Sequence, residues 1–286
     1  MRGSPATVNT SNEGGSLTAD RQAPQAENLP QRTKSLHIVK HFSTAQNNSL
    51  MFDHRELEKT LQRPDWYSTV VPLLRQIERL RDSEPKESKK LSRALLDFVH
   101  EKLEQGRVFL GTDGPNWDAE RKPIDTIVIH HIGRQPGMTL AELNALHLLR
   151  LYAAEYFTRE SSKKNSPKPP IYSRHFRDGK QVFFGYHWLL RMDGTTERLL
   201  DDSAVGWHAA NWEINCRSVA FCLDNDYEQS EPTREVLQSL AECIRGSYPS
   251  ISSARIIGHC EANKNRTCPG ALFLPSWKEK LLTLLQ

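Results

Sequence analysis

The apolar run 124–129 is the feature that most limits how this chain can fold. Four of its six residues are isoleucine or valine, and a threonine adds another β-branched side chain. A nearly continuous apolar run of this length is typical of a strand covered on both faces, as in the parallel sheets of α/β proteins. His130 and His131 follow directly. The sequence therefore predicts a buried strand whose end forms the wall of a site.

Helix and strand patterns alternate after this run. Thr139 and Glu142 form a capping-box pattern that opens a helix of about five turns reaching Tyr156. This alternation predicts an α/β fold, a mixed central β-sheet flanked by helices and preceded by a helical N-terminal extension. The other predicted elements are a strand over 181–190 joined to 196–199 as a β-hairpin, strands at 218–223 and 255–257, and helices from Pro232 and over 277–285.

Two different patterns occupy the N-terminal part of the chain. With 37% hydrophobic residues among 286, the chain can form one ordinary core, so part of it is expected to pack poorly. Residues 1–48 are rich in Ser, Gly, Asn, Gln and Pro and are predicted to be disordered. Residues 49–115 show apolar stripes at helical spacing, around Val70 and Leu95, and predict a helical extension closed near Gly106. These stripes need a partner surface, either each other or the following domain.

The overall composition limits the classes of partner. A net charge of +3 is nearly balanced, so no nucleic-acid partner is predicted. The chain has no apolar run of about 18 residues, which predicts no membrane span. No apolar stretch follows Arg2, so we expect no Sec signal and synthesis in the cytoplasm, with any delivery to the cell wall by another route. Five cysteines without a repeated CxxC spacing predict mostly free thiols, with Cys243 a small core residue on a helix.

The loop 258–270 concentrates reactive side chains behind the last predicted strand. It carries one imidazole, two thiols, one carboxylate and two cations. His259 supplies a neutral nitrogen and Cys268 a potential thiolate, and both are good ligands for zinc. On these residues alone, a metal site and an ordinary turn around Pro269 fit equally well. A metal site would need a third ligand from elsewhere.

Four separated motifs together resemble one family. The chain is similar to the zinc-dependent N-acetylmuramoyl-L-alanine amidases, which include the amidase-type phage lysozymes and the peptidoglycan-recognition proteins. The resemblance implies a zinc amidase domain over 116–286, which leaves residues 1–48 and 49–115 outside it. The motifs, in family order, are VIHH (128–131), GYHWLLRMDGT (185–195), AVGWHA (204–209) and GHCEANKNRTCPG (258–270).

The resemblance implies a catalytic zinc ion, Zn2+, with His130, His259 and Cys268 as its ligands. Two nitrogens and one thiolate leave one tetrahedral position open, where a bound water acquires a pKa of about 7 and becomes a nucleophile. His131 is not expected to join them, because adjacent residues on a strand point to opposite faces. The same argument disfavours Cys260, which as a fourth ligand would make the site closed and structural.

The resemblance also implies catalytic roles for two residues. Tyr186 stands where the family carries a tyrosine beside the metal, so its phenol could hydrogen-bond the water or the amide oxygen. Arg266 stands where the amidase-type phage lysozymes have a lysine. It keeps a positive charge that stabilises an oxyanion, but it cannot donate a proton. Proton delivery to the leaving amine is then left to Tyr186, His208 or water, with Lys264 at a less suitable spacing.

The resemblance also bears on four further residues. Trp207 and His208 are implied to bind substrate. Cys222 occupies the position at which some members of the family carry a catalytic glutamate, so general-base work would fall more heavily on Tyr186. Glu261 either orients the loop histidine as a hydrogen-bond acceptor or is a solvated loop carboxylate.

The implied activity is hydrolysis of the amide between the lactyl group of N-acetylmuramic acid and L-alanine, with peptidoglycan or muropeptides as the partner. Two alternatives remain open. The first is a non-catalytic peptidoglycan-binding module, which keeps the fold but loses metal ligands. The second is a zinc peptidase that cuts another bond of the stem peptide. The sequence does not determine the oligomeric state.

Overall fold

The structure is a computed structural model and describes residues 39–41, 49–163 and 167–286. These residues lie in one compact unit, Ser35–Gln286. Within the described part of the chain, no helix has both the length and the apolar character needed to cross a bilayer. The predicted disorder of residues 1–48 falls outside the described residues, except at 39–41. There the chain forms strand β1 (Val39–His41), which pairs antiparallel with β2 (Ser49–Met51), so for these three residues the structure differs from the prediction.

The helical extension consists of three helices. They are α1 (His54–Leu61), α2 (Tyr67–Arg79) and α3 (Pro85–Glu104). The Asp53 side chain caps α1 by accepting hydrogen bonds from the backbone N–H groups of Arg55 and Glu56. The apolar stripes of α2 and α3 face each other, and they also face the helices that follow in the chain.

The central sheet has five strands in the order β7-β6-β8-β3-β9. Strand β3 lies in the middle and pairs in parallel with β8 and β9, while β6 pairs in parallel with β8. β7 adds an antiparallel edge, which makes the sheet mixed as predicted. All residues of β8 and nearly all of β3 are buried, which explains their continuous apolar composition. The strands are β3 (Thr126–His131), β6 (Trp188–Leu190), β7 (Thr196–Arg198), β8 (Ser218–Leu223) and β9 (Ile256–Gly258).

The strand predicted over 181–190 is wrong in its middle. Residues up to Val182 form β5 (Lys180–Val182), which pairs with β4 (His175–Arg177), and β6 begins only at Trp188. The intervening backbone gives its N–H groups to helix side chains. Phe183 N–H donates to Asn144 Oδ1 at 2.6 Å, and Gly185 N–H donates to His147 Nδ1 at 3.0 Å. These donors are therefore not available for strand pairing.

Helices cover both faces of the sheet. The predicted helix from Thr139 is present, with both hydrogen bonds of its capping box. It runs as α4 (Leu140–His147), a π-helical turn (Leu148–Ala153) and α5 (Ala154–Ser162). The remaining helices are α6 (Trp212–Arg217), α7 (Arg234–Ser247), α8 (His259–Ala262) and α9 (Lys278–Leu284), with shorter helical turns at Trp117–Glu120, Ser253–Arg255 and Phe273–Trp277.

Two hydrophobic clusters form the core on the two sides of the sheet. One joins the strands to α7 and α9. The other contains residues of the helical extension together with residues of α4 and α5. Tyr67 of α2, for example, meets Tyr156 of α5 edge to face, with ring centroids 5.9 Å apart. The extension therefore shares a core with the part of the chain that carries the site motifs.

Candidate metal centre and active site

Three predicted ligand positions converge at the carboxyl end of the central strand. His130 lies near the end of β3, His259 begins α8 directly after β9, and Cys268 lies in the loop that follows. One ligand atom from each residue lies within 4.8 Å of the other two. Because β3 and β9 are parallel neighbours, their carboxyl ends bring the two histidines together even though they are far apart in sequence.

The donor set fits a zinc ion. The His130 Nδ1 and Cys268 Sγ atoms are 3.7 Å apart. Tetrahedral bonds to nitrogen and sulfur of about 2.0 and 2.3 Å place the two donors roughly 3.6 Å apart. The Nε2 atom of His259 is buried and has no hydrogen-bond partner within the described chain, as expected of a nitrogen reserved for a ligand.

Protonation of the three groups also suits a metal. Burial, with repulsion from His259 and His208, lowers the pKa of His130 well below its usual value. Burial and the charge of Arg266 lower the pKa of His259 to about 4. Both imidazoles are therefore neutral at pH 7. Burial raises the pKa of the Cys268 thiol to about 12, and a thiol of this kind loses its proton when it coordinates a cation.

The ligand loop is held in place by backbone contacts. Cys260 N–H donates to Cys268 O at 2.7 Å, and His131 N–H donates to Cys268 Sγ at 3.4 Å. Gly270 has φ +121°, and a β-carbon there would lie 2.0 Å from Tyr227 O, so only glycine fits. Tyr227 N–H in turn donates to His131 Nδ1 at 2.9 Å. The imidazole of His131 is thus hydrogen-bonded on the side of the strand away from the ligand group, as strand alternation predicts.

Glu261 has partners other than the ligand histidine. Its Oε2 accepts a hydrogen bond from Gly258 N–H at 2.9 Å, which completes the first turn of α8. Both carboxylate oxygens also contact Lys278 Nζ, at 2.7 and 2.8 Å. The residue therefore fixes the start of α8. It is exposed, as the solvated alternative predicted, but its carboxylate is bound to Gly258 and Lys278.

A chain of buried hydrogen bonds, which we call the His208 relay, runs from His130 through His208 and Ser218 to Ile214. His130 Nε2 lies 3.2 Å from His208 Nδ1, and His208 Nε2 lies 3.2 Å from Ser218 Oγ. Ser218 Oγ donates to Ile214 O at 2.6 Å. Because that hydroxyl proton is used, Ser218 accepts from His208, and His208 Nδ1 must accept from His130. The relay thereby leaves the Nδ1 lone pair of His130 free on the metal side.

Tyr186 stands beside the ligand group. Its ring centroid is 5.0 Å from that of His130 and 4.8 Å from that of His147. Burial raises the pKa of Tyr186 well above its usual value, and the nearby buried Cys222 thiol adds to the rise. Cys222 therefore lies at the site. It occupies the position at which the resemblance implies a catalytic glutamate in some members of the family.

The N-acetylmuramoyl-L-alanine amidase family model matches residues 120–271. The chain belongs to this family. The matched range contains every candidate site residue and excludes the helical extension. The protein is an N-acetylmuramoyl-L-alanine amidase, a hydrolase of peptidoglycan, which confirms the predicted activity.

A curated relative supports the same assignment. The 1,6-anhydro-N-acetylmuramyl-L-alanine amidase AmpD of Haemophilus influenzae is 25% identical over 178 residues, covering 58% of this chain and 87% of that protein. Among solved structures, the amidase LysC from Clostridium intestinale URNW is 20% identical with a TM-score of 0.41, covering 62% of this chain and 93% of its own. Drosophila PGRP-LB is 17% identical with a TM-score of 0.35, covering 58% and 88%. Structural similarity at this level does not bear on activity.

A cavity of about 490 Å³ in the amidase opens beside the ligand group. Its lining includes Trp207, His208, His259 and Arg266. Trp207 is 8% exposed and stacks on Tyr152, with ring centroids 4.3 Å apart. Substrate binding by Trp207 and His208 stays a prediction, and so do the catalytic roles of Tyr186 and Arg266.

Sequence reasoning missed two residues of the amidase site. Ser218 opens β8, and nothing in the sequence distinguishes it from an ordinary first residue of a strand. Arg150 lies on the π-helical turn and lines the cavity beside the ligand group. Its charge acts on Tyr186 and counteracts the rise in the pKa of that phenol. An arginine within a predicted amphipathic helix carried no sequence signal for this placement.

Proposed function

We propose that the amidase binds one zinc ion through His130, His259 and Cys268 and uses it to hydrolyse the bond between N-acetylmuramic acid and L-alanine. The observation that carries this proposal is the group itself: two neutral imidazoles and one thiol have ligand atoms within 4.8 Å of one another, and His259 also lines a cavity. Zinc held by these residues would polarise the amide carbonyl and activate a water molecule. Three protein ligands leave a position open for this chemistry.

The other side chains act on the substrate and on the ligands. Tyr186, beside His130, donates a hydrogen bond to the carbonyl oxygen as negative charge develops there. Its buried phenol keeps its proton, so we assign donation to Tyr186 and not the base role considered from the sequence. Arg266 lines the same cavity and supplies positive charge. The His208 relay holds the ring of His130 in the tautomer that presents Nδ1.

Product analysis tests which bond is cut. Purified zinc-loaded protein is incubated with soluble muropeptides, and the products are weighed by mass spectrometry. We expect an intact peptide with a free L-alanine amine and a peptide-free N-acetylmuramic acid. Shortened peptides still attached to muramic acid would show a peptidase that acts on another bond. Unchanged muropeptides bound by the protein would show a binding module.

A further inference from the structure

A second cavity lies between the helical extension and the carboxyl end of β3. Its volume is about 920 Å³, and it is lined by residues of α2 and α3 together with the segment 132–138 and part of the α4 region. Four arginines line it, two from the extension and two from the amidase domain. We call it the arginine pocket, after Arg81, Arg93, Arg134 and Arg150.

None of these four guanidinium groups makes a hydrogen bond or a salt bridge within 4.0 Å anywhere in the described chain. Elsewhere some arginines pair with an aspartate, such as Arg63 and Arg217, and a few surface arginines do not. The pocket is distinguished by bringing four unpaired guanidinium groups together. An arginine presents several donors in a rigid fork, which matches a carboxylate or a phosphate. Four such forks without partners indicate a place for an anionic ligand.

The acidic residues of the pocket do not occupy these arginines. Glu142 uses its carboxylate to cap α4 through Thr139 N–H at 2.8 Å, and Asp226 lies 3.7 Å from His131 Nδ1. Glu78 and Asp97 also line the pocket but form no ion pair within 4.0 Å among the described residues. Lys89 adds a fifth cation. Cationic groups therefore remain in excess of the acids that are free to pair with them.

The arginines act on one another electrostatically. Burial, with repulsion from Arg150 and Arg93, lowers the pKa of Arg134 to about 10. Like charges near a partly buried guanidinium such as that of Arg134 cost free energy, and a bound anion removes that cost. The mutual repulsion of the arginines and their lack of ion-pair partners within the protein both favour a bound anion.

The arginine pocket adjoins the catalytic cavity. Arg150 belongs to the linings of both cavities. On the catalytic side, Arg150 acts on the pKa of Tyr186. The cavity that His259 lines is therefore bounded by one of the four arginines of the arginine pocket.

We propose that the arginine pocket binds a carboxylate of the stem peptide whose amide link to muramic acid is cut at the metal centre, an inference that rests on the proposed function. The stem peptide is attached to the scissile bond and carries free carboxylates, so it brings the right chemistry to the adjoining cavity. Arg81 and Arg93 belong to the helical extension, outside the matched range 120–271. The extension then contributes directly to recognition of the peptide.

Binding of the released peptide tests this without turnover. The full-length zinc-loaded protein is titrated calorimetrically with the free tetrapeptide, with the same tetrapeptide amidated at its carboxylates, and with inorganic phosphate. The variant Arg81→Ala/Arg93→Ala should bind the free-acid peptide about tenfold more weakly, since a lost charged hydrogen bond is worth at least that factor. Its affinity for the amidated peptide should not change. Arg79→Ala is the matched control, because Arg79 is an exposed arginine of α2 that lines neither cavity.

Kinetics with muramyl tetrapeptide give a second readout. The double variant should show a KM about tenfold higher at nearly unchanged kcat, because these arginines do not touch the reacting atoms. Arg93→Lys, which keeps the charge and removes the fork, should fall between wild type and the double variant and serves if the double variant folds poorly. If wild type binds the peptide but cleaves nothing, the proposed function fails while the binding test still stands.

Three results would overturn the assignment. One is wild-type affinity of the double variant for the free-acid peptide. Another is an equal loss of affinity for the amidated peptide, which would show that the carboxylates are not the groups recognised. The third is phosphate binding as tight as that of the peptide, which would show a general anion site and not one for the stem peptide.

Discussion

At the scale of single residues, His259 offers the most direct test of the metal site. Its Nε2 atom is buried without a partner, so removal of the ring takes away a ligand without disturbing another hydrogen bond at that atom. We expect wild-type protein to hold one zinc per chain and His259→Ala to hold almost none after dialysis, measured by metal analysis. Cys260→Ala is the control and should keep its zinc, because Cys260 contacts Cys268 through its backbone N–H. Full zinc content in His259→Ala would exclude this ligand set.

Tyr186 tests the chemistry separately from the metal. Tyr186→Phe keeps the ring beside His130 and His147 and removes only the hydroxyl. We expect unchanged zinc content and folding, with kcat lower by about 10²-fold or more, the usual effect of losing a donor to developing charge. Cleavage of soluble muropeptides by the purified variant measures this. Turnover equal to that of wild type would leave Tyr186 with a packing role only.

Substitutions of Arg266 test whether a positive charge at this position is sufficient for its role in catalysis. If its role is purely electrostatic, Arg266→Lys should keep most of the activity and Arg266→Ala should lose about 10²-fold in kcat. The residue lines the cavity beside His259 and lowers the pKa of that imidazole, so its charge is felt at the site. Steady-state kinetics of both variants give the answer. A fully active Arg266→Ala would transfer the electrostatic role to Lys264 or to zinc alone.

At the scale of elements, the His208 relay links β3, the 204–209 loop and β8. Ser218→Ala removes the acceptor that fixes the tautomer of His208, and hence that of His130. We expect zinc affinity to fall roughly tenfold, as is usual when a partner of a metal ligand is lost. Competition with a chelator measures the affinity. Ser173→Ala, which removes another buried hydroxyl that bonds His175 O, is the control, and equal affinities in both variants would argue against the relay.

Local signals predicted the elements that depend on local chemistry. The apolar runs gave β3 and β8, and the capping residue Thr139 marks the true start of α4. The helix predicted from Pro232 begins two residues later, at Arg234, as α7. The interruption at 183–187 was not predictable, because its cause is the pair of acceptors Asn144 and His147 on a distant helix. The ligand positions came from the family motifs. Ser218 and Arg150 escaped because their roles arise only when separate elements meet.

At the scale of the whole molecule, the helical extension is part of the core of the amidase. Its helix α3 packs along α4, and α2 packs along the π-helical turn and α5. The sequence indicated that the apolar stripes of the extension pack either on each other or on the following domain. The structure shows both kinds of packing, since one hydrophobic cluster contains residues of all these helices.

Two truncations separate the roles of the N-terminal regions. Removal of residues 1–115 would expose buried side chains such as Leu143, Leu149 and Tyr156, which are at most 6% exposed. Each large apolar side chain contributes about 1.5–3 kcal/mol when buried, so exposure of several would approach the total stability of about 5–15 kcal/mol. We therefore expect the 116–286 fragment to be insoluble or unfolded by circular dichroism.

The 49–286 fragment should remain folded and cleave soluble muropeptides at the wild-type rate, because the composition of residues 1–48 cannot support a core. A folded, active 116–286 fragment would reduce the extension to an accessory, and an inactive 49–286 fragment would contradict the predicted disorder of the segment it lacks.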